Sequence, residues 1–199
     1  MTRISNRKNE TREQYSSFLI ICAEGKNSKT EENYFNGIKK ELHNIRYPAR
    51  ILVKPSNISD IDIFIKSNME YSKQWIVIDK DQIDLKSFID KNKHKCKIAF
   101  SNLCFEYWLL LHFEDSSPTS LFNCEKYNIA KYIKNYKKND PEIYVKVKNG
   151  ELEAMERAKK NLNIHKESQK DIDCWLSSTN MFELIEEIRK AQELYEKRK

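Results

Sequence analysis

Four short apolar runs limit what this chain can fold into: "SFLIICAE" (17–24), "RILVK" (50–54), "WIVID" (75–79) and "CKIAFS" (96–101). The first is continuously hydrophobic rather than alternating, the pattern of a strand covered on both faces, as in parallel sheets. Helix-like segments separate the runs. "NSKTEENYFNGIKKELHN" puts Tyr34, Phe35, Ile38 and Leu42 on one stripe, and Ser28 and Glu31 stand at capping-box spacing. "ISDIDIFIKSNMEYS" reads as a helix despite its β-branched residues, and "DLKSFIDKNK" as a shorter one. "LCFEYWLLLHF" (103–113) reads as an apolar, buried helix.

Strand alternating with helix predicts an α/β fold: a Rossmann-like, mainly parallel four-stranded sheet flanked by helices. After Ser116 the pattern turns mostly helical. In the last helix Asn180 stands at the cap, and Met181, Leu184, Ile185 and Ile188 follow i, i+3, i+4, i+7 spacing. The expected organisation is a flexible polar tail over 1–15, then one domain over 16–199 with a helical C-terminal extension from about 117.

Only three glycines and a charged fraction of 33% favour helix-rich α/β over a sandwich, which needs many tight turns. The formal charge of +6 is compatible with a polyanionic partner without amounting to a dedicated basic arm. The five cysteines are scattered with no CxxC pair, which argues against structural zinc and for reduced thiols in a cytoplasmic protein. The N-terminus has no apolar leader core, and the longest apolar stretch is too short and interrupted to span a bilayer, so no membrane association is expected.

In a parallel sheet, ligands meet the loops at the carboxyl ends of the strands. Glu24 closes the first strand; Asp79 and Asp81 close the third. Along an extended segment side chains alternate, so Asp79 and Asp81 share a face and Lys80 points away from both. Hard oxygen ligands of this kind suit Mg²⁺ or Mn²⁺, ions that polarise phosphoryl oxygens and orient water. Taken alone, an Asp-x-Asp at a strand end is more often an ordinary cap or turn. Two independent placements at one edge raise the metal reading to parity with that one.

Glu106, one turn into the apolar helix, reads either as a further ligand or general base or as a favourable charge at its own helix N-terminus. His112 fits a core or C-terminal histidine better than a catalytic one. Lys26 and Lys29 would bring positive charge to the same edge as a phosphate cradle, or else belong to a solvated loop. "EKYNIAKYIKNYKKND" (125–140) interleaves lysines with tyrosines, as strand-binding grooves do, but a solvated amphipathic face accounts for it better.

Taken in order, "ICAEGKNSKTEENYF", "VIDKDQ", "SNLCFEYWLLLHF" and "SSTNMFELIEEI" resemble the RloB family. The resemblance runs from about Phe18 to Ile188. It implies a Toprim-like fold and a setting among phage-defence and restriction-linked genes, often beside an ATPase. It further implies that Glu24, Asp79 and Asp81 hold the divalent metal for phosphodiester chemistry, and that Glu106 occupies the family's Cys-Phe-Glu position. Two departures stand out: Glu24 and Glu31 are separated by two residues more than in the usual E-G-x-x-T-E loop, and Leu103 stands where proline is usual.

The reading that follows is a Mg²⁺- or Mn²⁺-dependent nuclease acting on DNA or RNA, tRNA included, as an antiphage effector gated by an ATPase partner. Stoichiometry stays open, a homo-oligomer included. One rival is a non-catalytic metal-binding module that regulates or recruits the ATPase. Another makes Asp79 a phosphoaspartate nucleophile, although that chemistry normally uses the first strand of its sheet.

Overall fold

The computed structural model describes residues 15–27, 29–80, 83–102, 104–116 and 129–199. Residues 1–14 of the expected tail over 1–15, Ser28 of the capping box, Asp81 and Leu103 fall outside the described residues, as does the first part of the tyrosine–lysine stretch. Tyr15, the last residue of that tail, is described and stands edge-on to Tyr47 and Tyr195.

Five strands form one sheet: β1 (Phe18–Cys22), β2 (Ile51–Pro55), β3 (Lys73–Asp79), β4 (Lys97–Asn102) and β5 (Ser178–Thr179). Their order is β2-β1-β3-β4-β5. The first four strands run parallel, and β5 joins β4 antiparallel through Ser101–Thr179 and Asn102–Ser178. Every residue of β1 is buried, as its unbroken apolar run requires, and β3 is buried from Trp75 to Asp79. From β1 the chain winds outward to β2, then returns across β1 to β3 and β4. The switch point of this doubly wound sheet therefore lies between β1 and β3.

The helices are α1 (Lys29–Asn44), α2 (Ile61–Ser67), α3 (Leu85–Asn92), α4 (Phe105–Leu111), α5 (Ile129–Tyr132), α6 (Ile143–Val147), α7 (Glu151–Glu167) and α8 (Met181–Glu196). The segment expected as one helix over 58–72 is shorter: a single 3-10 turn, Ile58–Asp60, leads into α2. Asp84 caps α3 by accepting the Ser87 N–H at 2.8 Å. All seven residues of α4 are buried, and Tyr34 of α1 stands edge-on to Phe105 and Trp108. His112 is buried among these rings, with Nδ1 at 3.0 Å from the Trp108 carbonyl and Nε2 at 3.4 Å from the Tyr34 hydroxyl; it is a core histidine.

The sheet has one strand more than expected. A two-residue strand carries no periodicity to read, and side chains complete what its backbone cannot. Asn180 accepts the Phe100 N–H at 2.7 Å and donates to the Ile98 carbonyl at 2.9 Å, extending the β4 ladder with its amide. Its side chain thus fastens the sheet edge instead of capping α8. Thr179 Oγ1 takes over at that end, accepting the Met181 N–H at 3.2 Å. Cys22, Cys96 and Cys174 are free thiols.

Candidate metal centre

Glu24 leaves β1 through a turn that only glycine makes without strain. Gly25 has φ +59°, its N–H donates to the Ser56 carbonyl at 2.8 Å, and a Cβ there would stand 2.4 Å from Asn57 Oδ1. This turn sends Glu24 back over the sheet edge and delivers the chain into α1. Glu31 lies in the first turn of that helix, 6% exposed. Asp79 is the last residue of β3, across the switch point, 7% exposed.

Glu24, Glu31 and Asp79 each present a carboxylate oxygen within 4.8 Å of the other two. Asp79 Oδ2 accepts the Phe105 N–H at 2.9 Å, at the start of α4. Asp79 Oδ1 and Glu31 Oε2 are buried with no hydrogen-bond partner among the described residues. An unpaired buried carboxylate oxygen is costly, and two of them facing a third carboxylate are more so. Burial, then the charges of Glu24 and Glu106, push the Glu31 carboxyl up to about 8. Burial, then the charges of Glu31 and Glu24, push Asp79 upward as well, against the pull of the Phe105 N–H. Burial and the same acidic group raise the Cys22 thiol, so sulfur stays protonated beneath the site.

The donor set is all oxygen and compact, and Lys138, the described cation whose charge reaches Glu31, is exposed and paired at 3.7 Å with Glu106. This fits a hard dication such as Mg²⁺ or Mn²⁺ among the three carboxylates. A cavity of about 250 Å³ opens beside it, lined in part by Glu24, Asn27, Asn57, Asp79 and Ile83. Larger grooves of about 730 and 620 Å³ lie at the opposite edge, around the starts of β3 and β4. Most of their lysines are already ion-paired there, Lys95 with Asp62 and both Lys73 and Lys97 with Glu187, so they do not compete as the centre of chemistry.

Of the residues singled out from sequence, the structure brings Glu24 and Asp79 together. Asp81 and the Lys26 side chain lie outside the described residues. Glu106, 3% exposed, sits in the first turn of α4 close enough for its charge to act on both Glu31 and Asp79. Its Oε1 accepts from the Tyr136 hydroxyl at 3.2 Å and lies 3.7 Å from Lys138 Nζ. Lys29 opens α1 half exposed and pairs with Glu32 at 3.0 Å. Lys80 turns away, its ammonium on the Asp173 carbonyl. Sequence reasoning missed Glu31 as the third converging carboxylate, reading it as half of a capping box. The available signal was its place in the helix turn that directly follows the β1 loop.

The metal-free protein has a pH signature. Neutral Glu31 is favoured by folding, so its contribution is complete below the unfolded value of about 4.3 and is lost as pH rises through about 8. His112 titrates on the acid side, pushed down by burial to about 4. Between pH 7 and 9 the carboxylates dominate, and chelated protein should lose thermal stability across that interval. A melting series in EDTA checks this, and a flat or rising profile would contradict the assignment.

An acidic, all-oxygen centre at the switch point of a Rossmann-like sheet defines a class: α/β proteins whose candidate chemistry is that of a carboxylate-held dication. Within that class the chain belongs to the family of RloB-like proteins, which it matches over residues 18–188. No curated protein and no solved structure matches it. Among the described residues no helix is long and apolar enough to cross a membrane.

Proposed function

We propose that this chain is a Mg²⁺- or Mn²⁺-dependent nuclease with a Toprim-like catalytic edge. One observation carries the reading: Glu31 and Asp79, whose carboxylates converge with that of Glu24, each keep a buried oxygen with no hydrogen-bond donor among the described residues. Glu24, Glu31 and Asp79 hold the ion, and Asp81 follows Asp79 closely enough in sequence to join them. When bound, the ion polarises a phosphoryl oxygen and lowers the pKa of water.

The residues do the rest. Glu106 takes the proton from the attacking water at the oxygen not engaged by Tyr136. Attack at phosphorus breaks one P–O ester bond, and the leaving oxygen is protonated from solvent at the open cavity. The substrate class is nucleic acid. The family resemblance supports an antiphage setting and an ATPase partner, and the protein acts in the cytoplasm.

The test is incubation of the full chain with duplex DNA, single-stranded DNA, tRNA and other RNA, with and without Mn²⁺. Metal-dependent cleavage that Glu31→Gln abolishes while circular dichroism is unchanged supports the nuclease. Inactivity on every substrate with the ATPase present favours the non-catalytic module.

A further inference from the structure

The residues 135–138 form a strap that reaches back from the helical extension to the carboxyl edge. Asn135 adopts a left-handed backbone, φ 59°, which reverses the chain just after α5. The strap is then pinned at two places. The Tyr136 hydroxyl donates to Glu106 at 3.2 Å, and Thr30, the neighbour of Glu31, donates its hydroxyl to the Lys138 carbonyl. Beyond the strap, α6 is seated on α1, where Tyr144 packs so closely on Gly37 that an added Cβ would stand 2.4 Å from its own.

This anchoring places the Lys138 ammonium at the rim of the acidic centre. It lies 3.7 Å from Glu106 Oε1 while its side chain stays 70% exposed. That distance exceeds a charge-assisted hydrogen bond of about 2.8 Å, and Glu106 Oε1 already has a donor in Tyr136. Lys138 is therefore a loosely held cation facing solvent, and Lys29, on the other flank, is occupied by Glu32.

We propose that Lys138 binds the phosphodiester of a nucleic-acid strand at this centre, with Tyr136 as the positioning residue that holds the strap in place. The proposal rests on the metal-dependent reading above and names the residue that meets the substrate's charge. The helical extension thereby becomes part of the substrate site instead of an appendage.

The experiment measures binding separately from turnover. Full chain is titrated with a short oligothymidylate in Ca²⁺ over a series of salt concentrations, and independently with Mn²⁺ followed by electron paramagnetic resonance. Lys138→Gln should weaken oligothymidylate binding about tenfold, the worth of one charge-assisted contact. The slope of log K against log salt should flatten by about 0.7. Mn²⁺ binding should persist, and Lys138→Arg should restore most of the affinity. Lys66→Gln removes the same charge at the opposite edge and should change neither measurement.

Oligothymidylate binding as tight in Lys138→Gln as in the parent, with Mn²⁺ binding intact, overturns the role of Lys138 and leaves the metal centre standing. A parent chain that binds Mn²⁺ but no oligothymidylate overturns it too. A parent chain that binds no Mn²⁺ removes the metal reading itself.

Discussion

Asp79→Asn should abolish metal-dependent cleavage and, in chelator, make the protein more stable than the parent. The two effects have one origin. The amide oxygen still accepts the Phe105 N–H, so α4 keeps its attachment to β3. The amide nitrogen replaces an oxygen that has no donor among the described residues, and the change removes a charge that Glu31 and Glu24 oppose. Each kcal/mol gained lifts Tm by roughly 2–4 °C in a chain of this size. The activity loss should exceed the roughly 100-fold that follows from removing an outer partner of a metal ligand. With a dication at 100 times its Kd, the parent should gain about 2.7 kcal/mol and the variant almost nothing. Scanning calorimetry with and without Mn²⁺ measures both arms, and a destabilised variant in chelator would show that the carboxylate is a structural anion.

Arg189→Ala should be the most damaging single change outside the centre. Arg189 of α8 pairs with Glu151 at 2.6 Å and with Glu41 of α1 at 2.9 Å, and donates to the Tyr144 hydroxyl of α6 at 2.6 Å. These carboxylates keep the guanidinium charged despite its burial, and its pKa is raised accordingly. One side chain thus ties together α1, α6, α8 and the start of α7. Removing it leaves two carboxylates facing each other in a half-buried pocket, at a cost of about 3–5 kcal/mol. Urea unfolding measures this directly. A loss under about 1 kcal/mol, the level of an exposed pair, would mean that packing alone docks the helices. The combined Arg189→Met, Glu151→Leu change should recover part of the loss, since an apolar pair of similar volume avoids the desolvation.

The parallel strands were legible because burial on both faces leaves its mark directly on composition: β1 shows no polar residue from Phe18 to Cys22. The ends of β1 and β3 were legible for a related reason, since a carboxylate follows or closes each of these two apolar runs, and in a parallel sheet that places Glu24 and Asp79 on one edge. Glu31 was hidden by ambiguity of role, because an acidic residue in a first helical turn is favourable for local reasons alone. β5 was hidden by its length. Tyr136 and Lys138 stand out in sequence within the lysine–tyrosine stretch, where a solvated face accounts for them better. What distance along the chain hides is their place, since nothing in their spacing reports that they reach Thr30 of α1 and Glu106 of α4. Local chemistry writes itself into local sequence; contacts between remote segments do not.

The three converging carboxylates come from opposite sides of the switch point, two from the β1–α1 unit and one from β3. An ion seated among them is a cross-link between the two halves of the winding, at the place where parallel neighbours have no connecting loop of their own. On the proposed reading, loading should therefore slow amide exchange at the ends of both strands together, and the centre would be a clasp for the sheet as well as a place for chemistry.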